Sequence, residues 1–288
     1  MKTCSLDRLA SIFERFSLRA HVFNTGPLCA ASSYDHEAGR GHIHVLKQGA
    51  IKVETPAKPS MIIRAPHLLF YMKPITHRLI PLVEEGEVIT VCGEIDFGDG
   101  LENPVLQVMP GLIPMELTGN EHLSAILDLL FEEAFNPGCG RQTALDRICE
   151  LLVIQLLRIS MNDSPNQIGL LAGLADQRLA KALTCIHKEP AKSWTLEQLA
   201  NMAGMSRASF AVKFRDTLGM TPGDYLGHWR LGLAKTLLKK GRPVSLVSDE
   251  VGYSSAAAFT RAFAGRFGQT PTSWLKQTWQ GQADVRHS

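Results

Sequence analysis

The 288-residue sequence predicts an α+β chain. It should hold a small N-terminal β-barrel, a helical hairpin, and an all-helical C-terminal part in which a long helix joins two helix-turn-helix units. Three observations predict this. Residues 20–117 break into short apolar runs separated by Gly, Pro and Asn, the texture of strands and turns in a sandwich or barrel. From Glu121 to Ser160 the apolar period becomes helical. Beyond Trp194 the chain repeats itself: Phe210, Phe214, Leu218, Gly219, Thr221 and Pro222 recur 49 residues later as Phe259, Phe263, Phe267, Gly268, Thr270 and Pro271. The expected boundaries are 1–118 for the barrel, 119–161 for the hairpin, 162–172 for a linker and 173–280 for the double helical unit.

Composition narrows the class. A hydrophobic content of 45% against 20% charged residues is that of a globular protein rather than a disordered one. No apolar run approaches ~18 residues, so no transmembrane helix and no membrane partner are expected. Residues 1–20 carry charges throughout and lack an apolar signal core, which places the expected chain in the cytoplasm. Six cysteines without a CxxC pair read there as reduced thiols. The net charge of +2 hides an asymmetry: residues 174–288 hold 16 Lys+Arg and 8 Asp+Glu, whereas residues 1–173 hold 14 and 20. A basic half beside an acidic one suits a DNA-binding module joined to a module of another kind.

In chain order, Leu6, Leu9, Ile12, Phe13 and Phe16 recur at helical intervals and predict a short opening helix. The strand-like runs are Ala20–Phe23, Ile43–Leu46, Ile51–Glu54, Met61–Arg64, Leu68–Met72, Val88–Cys92 and Val105–Val108. His42 and His44, two residues apart on one strand, share a face. With His77 they would supply three nitrogens to a divalent metal such as zinc, iron or copper. The alternative is a solvated His42 with His44 and His77 hydrogen-bonded inside the barrel. The hairpin is broken by Asn136–Gly140, and its second helix is apolar on most sides from Leu151 to Leu157. A homodimer contact and burial against the barrel explain that excess equally. Asn162–Gly169 is polar and contains Pro and Gly, as a linker does.

The C-terminal half opens with a helix over 174–188, stopped before Pro190. Thr195-Leu-Glu-Gln198 is a capping box, Gly204-Met205 makes a turn, and Ser206 caps a second helix with Phe210, Phe214 and Leu218 inward. Pro222 then opens a long helix to about Lys240, roughly 28 Å at 1.5 Å per residue. That is close to the roughly 34 Å rise of one DNA turn, so two reading helices can sit over successive major grooves. Ser245–Val251 and Ser254–Phe267 repeat the pair. The outward residues of the first reading helix are Arg207, Ala208, Ser209, Ala211 and Val212, with Lys213 and Arg215 directed to phosphates. Val212 cannot donate to guanine, so this helix reads thymine methyl groups or contributes little specificity. The second offers Ser255, Ala256, Ala257, Thr260 and Arg261.

These residues carry resemblances. Leu199-Ala200, Gly204-Met205-Ser206, Arg230-Leu-x-x-Ala234-x-x-Leu237-Leu238, Val251-Gly252-Tyr253 and the repeated Phe-Gly-Thr-Pro positions make 176–278 resemble the C-terminal domain of AraC/XylS-family transcription regulators. Gly41-His42-Ile43-His44-(x3)-Gln48-Gly49 and Pro74-Ile75-Thr76-His77 resemble the two boxes of the cupin superfamily. Gln48 replaces the expected carboxylate, and the usual glycine between the second-box Pro and His is absent. Residues 40–95 are also similar to cupin-like sensor domains of AraC-type regulators, a branch of which responds to reactive chlorine species.

The resemblance implies a cytoplasmic regulator whose barrel senses a small ligand or an oxidant and controls promoter activation. Its implied partners are double-stranded promoter DNA, RNA polymerase and a second copy of the chain. It implies no catalytic residue, Arg261 as a base contact, and Cys92 with Cys29 as redox-sensing thiols. Against that, Cys92 also reads as a small buried hydrophobe between Val91 and Gly93. The competing class is a metal-dependent cupin enzyme with an accessory helical domain, which the missing carboxylate opposes.

Overall fold

A computed structural model describes residues 7–35, 39–56, 58–98, 106, 111–117, 121–136, 138–163 and 168–285. Of the expected strand at Val105–Val108 only Leu106 is described, and it is helical; the other three residues and part of the expected linker fall outside them. The chain divides into two compact units, Phe16–Pro165 and Met1–Arg15 together with Asn166–Ser288.

Among the described residues of the first unit, nine strands form two antiparallel sheets. They are β1 (Arg19–Pro27), β2 (Ser32–Tyr34), β3 (Gly41–Gln48), β4 (Ala50–Glu54), β5 (Met61–Arg64), β6 (His67–Tyr71), β7 (His77–Pro81), β8 (Ile89–Asp96) and β9 (Leu112–Glu116). One sheet has the order β1-β8-β3-β6-β9 and the other β2-β7-β4-β5. Central β3 is buried from Gly41 to Leu46, which is why its sequence is apolar or imidazole throughout. Leu46 and Leu69 of the larger sheet meet Ile51, Val53, Ile63 and Leu79 of the smaller one in a shared core.

The expected closed barrel is therefore corrected to an open sandwich, because among the described residues neither sheet closes on itself. The physical reason is visible at the β1 edge. The helical hairpin α2 (Glu121–Phe135) and α3 (Arg141–Asp163) supplies side chains there in place of another strand. Asp146 Oδ1 accepts the Val22 N–H at 2.9 Å, and Gln142 Nε2 donates to the Val22 carbonyl at 2.8 Å. An edge satisfied this way presents fewer free groups for strand addition. A Cβ on Gly93 would lie 3.2 Å from the His21 carbonyl oxygen, so glycine eases the close pairing of β8 with β1. Lys47 of β3 reaches out over the rings of Phe131 and Phe135 of α2.

The second unit contains α1 (Ala10–Phe13), α4 (Leu170–Ala175), α5 (Gln177–Lys188), α6 (Leu196–Ala203), α7 (Arg207–Leu218), α8 (Pro222–Lys239), α9 (Val244–Glu250), α10 (Ala256–Phe267) and α11 (Pro271–Val285). Short α1 packs against α5, with Leu9 and Ile12 buried. Arg8 donates to the Leu174 and Ala175 carbonyls at 2.8 and 2.9 Å, and Arg15 to Lys188 O at 3.1 Å. Both guanidiniums thus complete helix C-termini that lack intrahelical donors.

The helix signals perform as read. Thr195 and Gln198 form a reciprocal capping box, and Gly204 closes α6 at φ 63°. Ser206 and Ser255 cap α7 and α10 by accepting the Ser209 and Ala258 N–H groups. Phe210, Phe214 and Leu218 are buried under α7, and Phe259 and Phe263 under α10.

Candidate nucleic-acid interface and the buried polar cluster

Each helix-turn-helix pair leaves one face of its second helix uncovered. On α7, Arg207, Ala208, Ser209, Val212 and Arg215 are exposed, while Ala211 and Lys213 are half-buried. On α10, Ala256, Ala257 and Arg261 are exposed and Thr260 is half-buried, with exposed Ser255 at the cap. The outward set expected from the sequence is thus brought to two helix faces of the same kind.

Lys213 differs from the expectation of a phosphate contact, because its ammonium forms an ion pair with Asp176, the N-cap of α5. Burial opposes ionisation of that carboxyl. The Lys213 ammonium and the Leu179 and Arg178 N–H groups outweigh it and hold the pKa below the usual carboxylate range.

Two residues whose roles the sequence did not disclose fix the reading heads. Arg230 of α8 donates to Pro190 O at 2.7 Å and Lys192 O at 3.0 Å, which pins the loop before α6. Against the same loop sits Gly252, where a Cβ would lie 2.6 Å from Ala191 Cα. One loop of the first pair is therefore seated on both the connector and the second pair. Lys235 of α8 is 2% exposed, with its ammonium 3.5 Å from the Phe267 ring centroid and 5.0 Å from that of Trp274. Buried in this aromatic surround, it ties the connector to α10 and α11. Only the spacing of aromatics around 263–274 hinted at such a cage.

His187 of α5 completes the helical core. It is fully buried, stacks on Trp229 at 3.9 Å and meets Tyr225 Oη at 2.7 Å and Ser11 Oγ at 3.3 Å. Burial, then the nearby Arg15 charge, lowers its pKa to about 3.

Inside the sandwich the sequence-selected histidines do gather. His44 and Cys92 are direct cross-strand partners, as are His42 and Tyr71, and Tyr34 pairs with His77 in the other sheet. His77 lies between two phenol rings, Tyr71 at 3.8 Å and Tyr34 at 5.0 Å, both nearly parallel to it. Its Nδ1 faces the Ile75 carbonyl at 2.7 Å and must donate there. Its Nε2 then accepts from His44 Nε2 at 2.8 Å, which assigns the His44 proton and leaves His44 Nδ1 without a partner. Burial drives the His77 pKa down to about 4 and that of His44 well below the ordinary value.

This is a hydrogen-bonded imidazole pair rather than a chelate. Among the described residues no group of three or more His, Cys, Asp or Glu is placed to hold a metal ion. The donor set therefore does not fit the divalent metal expected from His42, His44 and His77.

Cys92 is completely buried, with Tyr34 Oη 4.0 Å from its sulfur. Burial pushes the thiol pKa up, against the lowering effect of Thr90, Tyr34 and Asn24. Cys29 is exposed, two residues beyond Pro27, which pairs with Ile89. Three residues of strand separate Ile89 from Cys92, so the two cysteines lie roughly 10 Å or more apart. A disulfide needs Cα atoms within about 7 Å, so this arrangement does not bridge them.

Comparison with known proteins agrees with this architecture. Residues 7–162 match the cupin family, and residues 199–277 match a family described as a helix-turn-helix domain. The chain belongs to the cupin family, with an open-sandwich cupin unit and a helix-turn-helix unit after it. More particularly, it is an AraC/XylS-type helix-turn-helix chain with an N-terminal cupin domain. A putative AraC-like transcription regulator of Streptomyces lividans is 30% identical over 194 residues, 66% of this chain and 64% of that protein. The HTH-type transcriptional regulator AlkR of Acinetobacter baylyi is 35% identical over 202 residues, 68% and 65% of the two chains. The RCS-specific HTH-type transcriptional activator RclR of Escherichia coli K12 is 28% identical over 241 residues, 82% and 84%. The chain thus spans less than two thirds of the length of the Streptomyces and Acinetobacter relatives. Among the described residues, no helix is long and apolar enough to cross a membrane.

Proposed function

We propose that the chain is a sequence-specific transcription regulator that binds double-stranded promoter DNA through α7 and α10. The observation that carries this reading is the pair of uncovered helix faces at equivalent places in two helix-turn-helix pairs, joined by one connector and a shared loop. Arg261 is its principal base contact and reads guanine, for which a guanidinium is the matched bidentate donor. RNA polymerase and a second copy of the chain are its further partners. Arg261→Ala should weaken binding to a selected operator by roughly five- to 150-fold, since one base contact is worth about 1–3 kcal/mol. Fluorescence anisotropy on labelled duplexes measures this, and an unchanged affinity removes the assignment.

The sandwich is the signal-reading part, and its buried His44–His77–Tyr34–Cys92 cluster is where the signal registers. A small ligand or an oxidant entering there would break a tautomer-specific hydrogen-bond set. The name of the RclR relative and the position of Cys92 within the cluster support the oxidant. In this arrangement Cys92 is a protonated, enclosed thiol, so its oxidation must follow a local opening. Hypochlorite should then change promoter binding of the wild type and not of Cys92→Ala. A wild type that does not respond in binding or transcription excludes thiol sensing and leaves the ligand.

A further inference from the structure

The two reading helices carry different chemistry at one equivalent position. The 49-residue repeat that superposes Phe210 on Phe259 and Phe214 on Phe263 also brings Val212 onto Arg261. Both project from the face opposite the buried phenylalanines, and Val212 is 52% exposed, an apolar side chain left in water. Its neighbours on that face include Ala208 and Ala211, and the nearest long cation, Lys213, is held by Asp176. Arg207 and Arg215 stand away from Val212 along α7, at its first residue and in its last turn. Near its centre the outward face of α7 therefore offers the major groove methyl groups and the short hydroxyl of Ser209, but no long hydrogen-bond donor.

Of the groups a base pair presents there, the one that methyls complement is the C5-methyl of thymine. We propose that Val212 is a specificity-determining residue that reads thymine methyl groups. The first helix-turn-helix would then select a thymine-bearing half-site about one helical turn from the guanine read by Arg261. This rests on the DNA-binding reading above.

The test uses the full chain and an operator obtained by selection from random duplex DNA. Each thymine is replaced in turn by deoxyuridine, which removes only the methyl and keeps the base pair. One or two positions on the α7 side should lose about fourfold in affinity each, the equivalent of ~0.8 kcal/mol per buried methyl. The same replacements should cost nothing further in Val212→Ala, an exposed substitution that leaves the core untouched. If no deoxyuridine position couples to Val212, the inference is overturned. It is equally overturned if a Val212 variant keeps its affinity and methyl profile but loses transcription, since Val212 would then contact a protein. Failure of the selection to yield any preferred sequence would instead remove the DNA-binding reading itself.

Discussion

Lys213 and Arg261 are both cations on reading helices, yet they differ in what already holds them. Arg261 is exposed on the outward face, whereas Lys213 closes an ion pair on the cap of α5. Lys213→Ala should therefore leave the salt dependence of DNA binding unchanged, where loss of a true phosphate contact lowers the slope by about one. It should lower thermal stability slightly, by roughly 0–1 kcal/mol for a partly exposed pair. Affinity measured at several salt concentrations, with a melting curve, separates the two roles. Helical periodicity found the outward face of α7 but could not reveal this pairing, because Asp176 lies 37 residues earlier and no local spacing links them. The same limit applies to the histidines. Their two-residue spacing placed them on one face, but only the Ile75 carbonyl shows that His77 donates there and pairs with His44 instead of chelating.

The helices after Thr195 were the most readable part of the chain, because Thr195, Ser206, Gly219 and Pro222 announced their ends locally. By contrast, α4 (Leu170–Ala175) lies across the end of the expected linker, and the helix expected from 174 starts at Gln177. What the sequence hid is how elements grip one another. Arg230 gathers backbone carbonyls of the loop before α6, and Gly252 lets that loop lie flat on the second pair. Arg230→Ala removes those charge-assisted bonds, one part-buried and one exposed and each worth at most about 1.5–3 kcal/mol, and frees one reading head from the other. Affinity for a two-half-site operator should fall tenfold or more, with a smaller effect on an isolated half-site. Equal losses on both would show that Arg230 serves the fold alone. Strand alternation likewise disclosed a β unit but not whether it closes. Closure depends on what meets the edge of β1, and Asp146 and Gln142 meet it from about 120 residues further along the chain.

At the scale of the molecule, each unit buries neutral imidazoles: His77 and His44 in the sandwich, His187 in the helical unit. An unfolded histidine takes up its proton near pH 6.5, while His77 resists until about 4 and His187 until about 3. Below about pH 6.5 the unfolded chain therefore binds more protons, and stability falls as the pH is lowered toward those values. Melting temperatures recorded between about pH 7.5 and 4.5 should decline, and His77→Gln should flatten the decline of the sandwich transition without altering that of the helical unit. A pH-independent wild-type transition would refute the neutral burial.

The docking of Arg8, Leu9 and Ile12 onto the helical unit has a consequence for anyone who would exchange its sensor. Topologically the sandwich is an insert: residues 7–15 belong to the helical unit, and the chain leaves it after Arg15 and returns at residue 166. A hybrid spliced only at the linker would carry away the peptide that covers α5. A transplantable DNA-binding half has to be cut from two stretches of sequence, and a foreign sensor has to be grafted between them by both its ends.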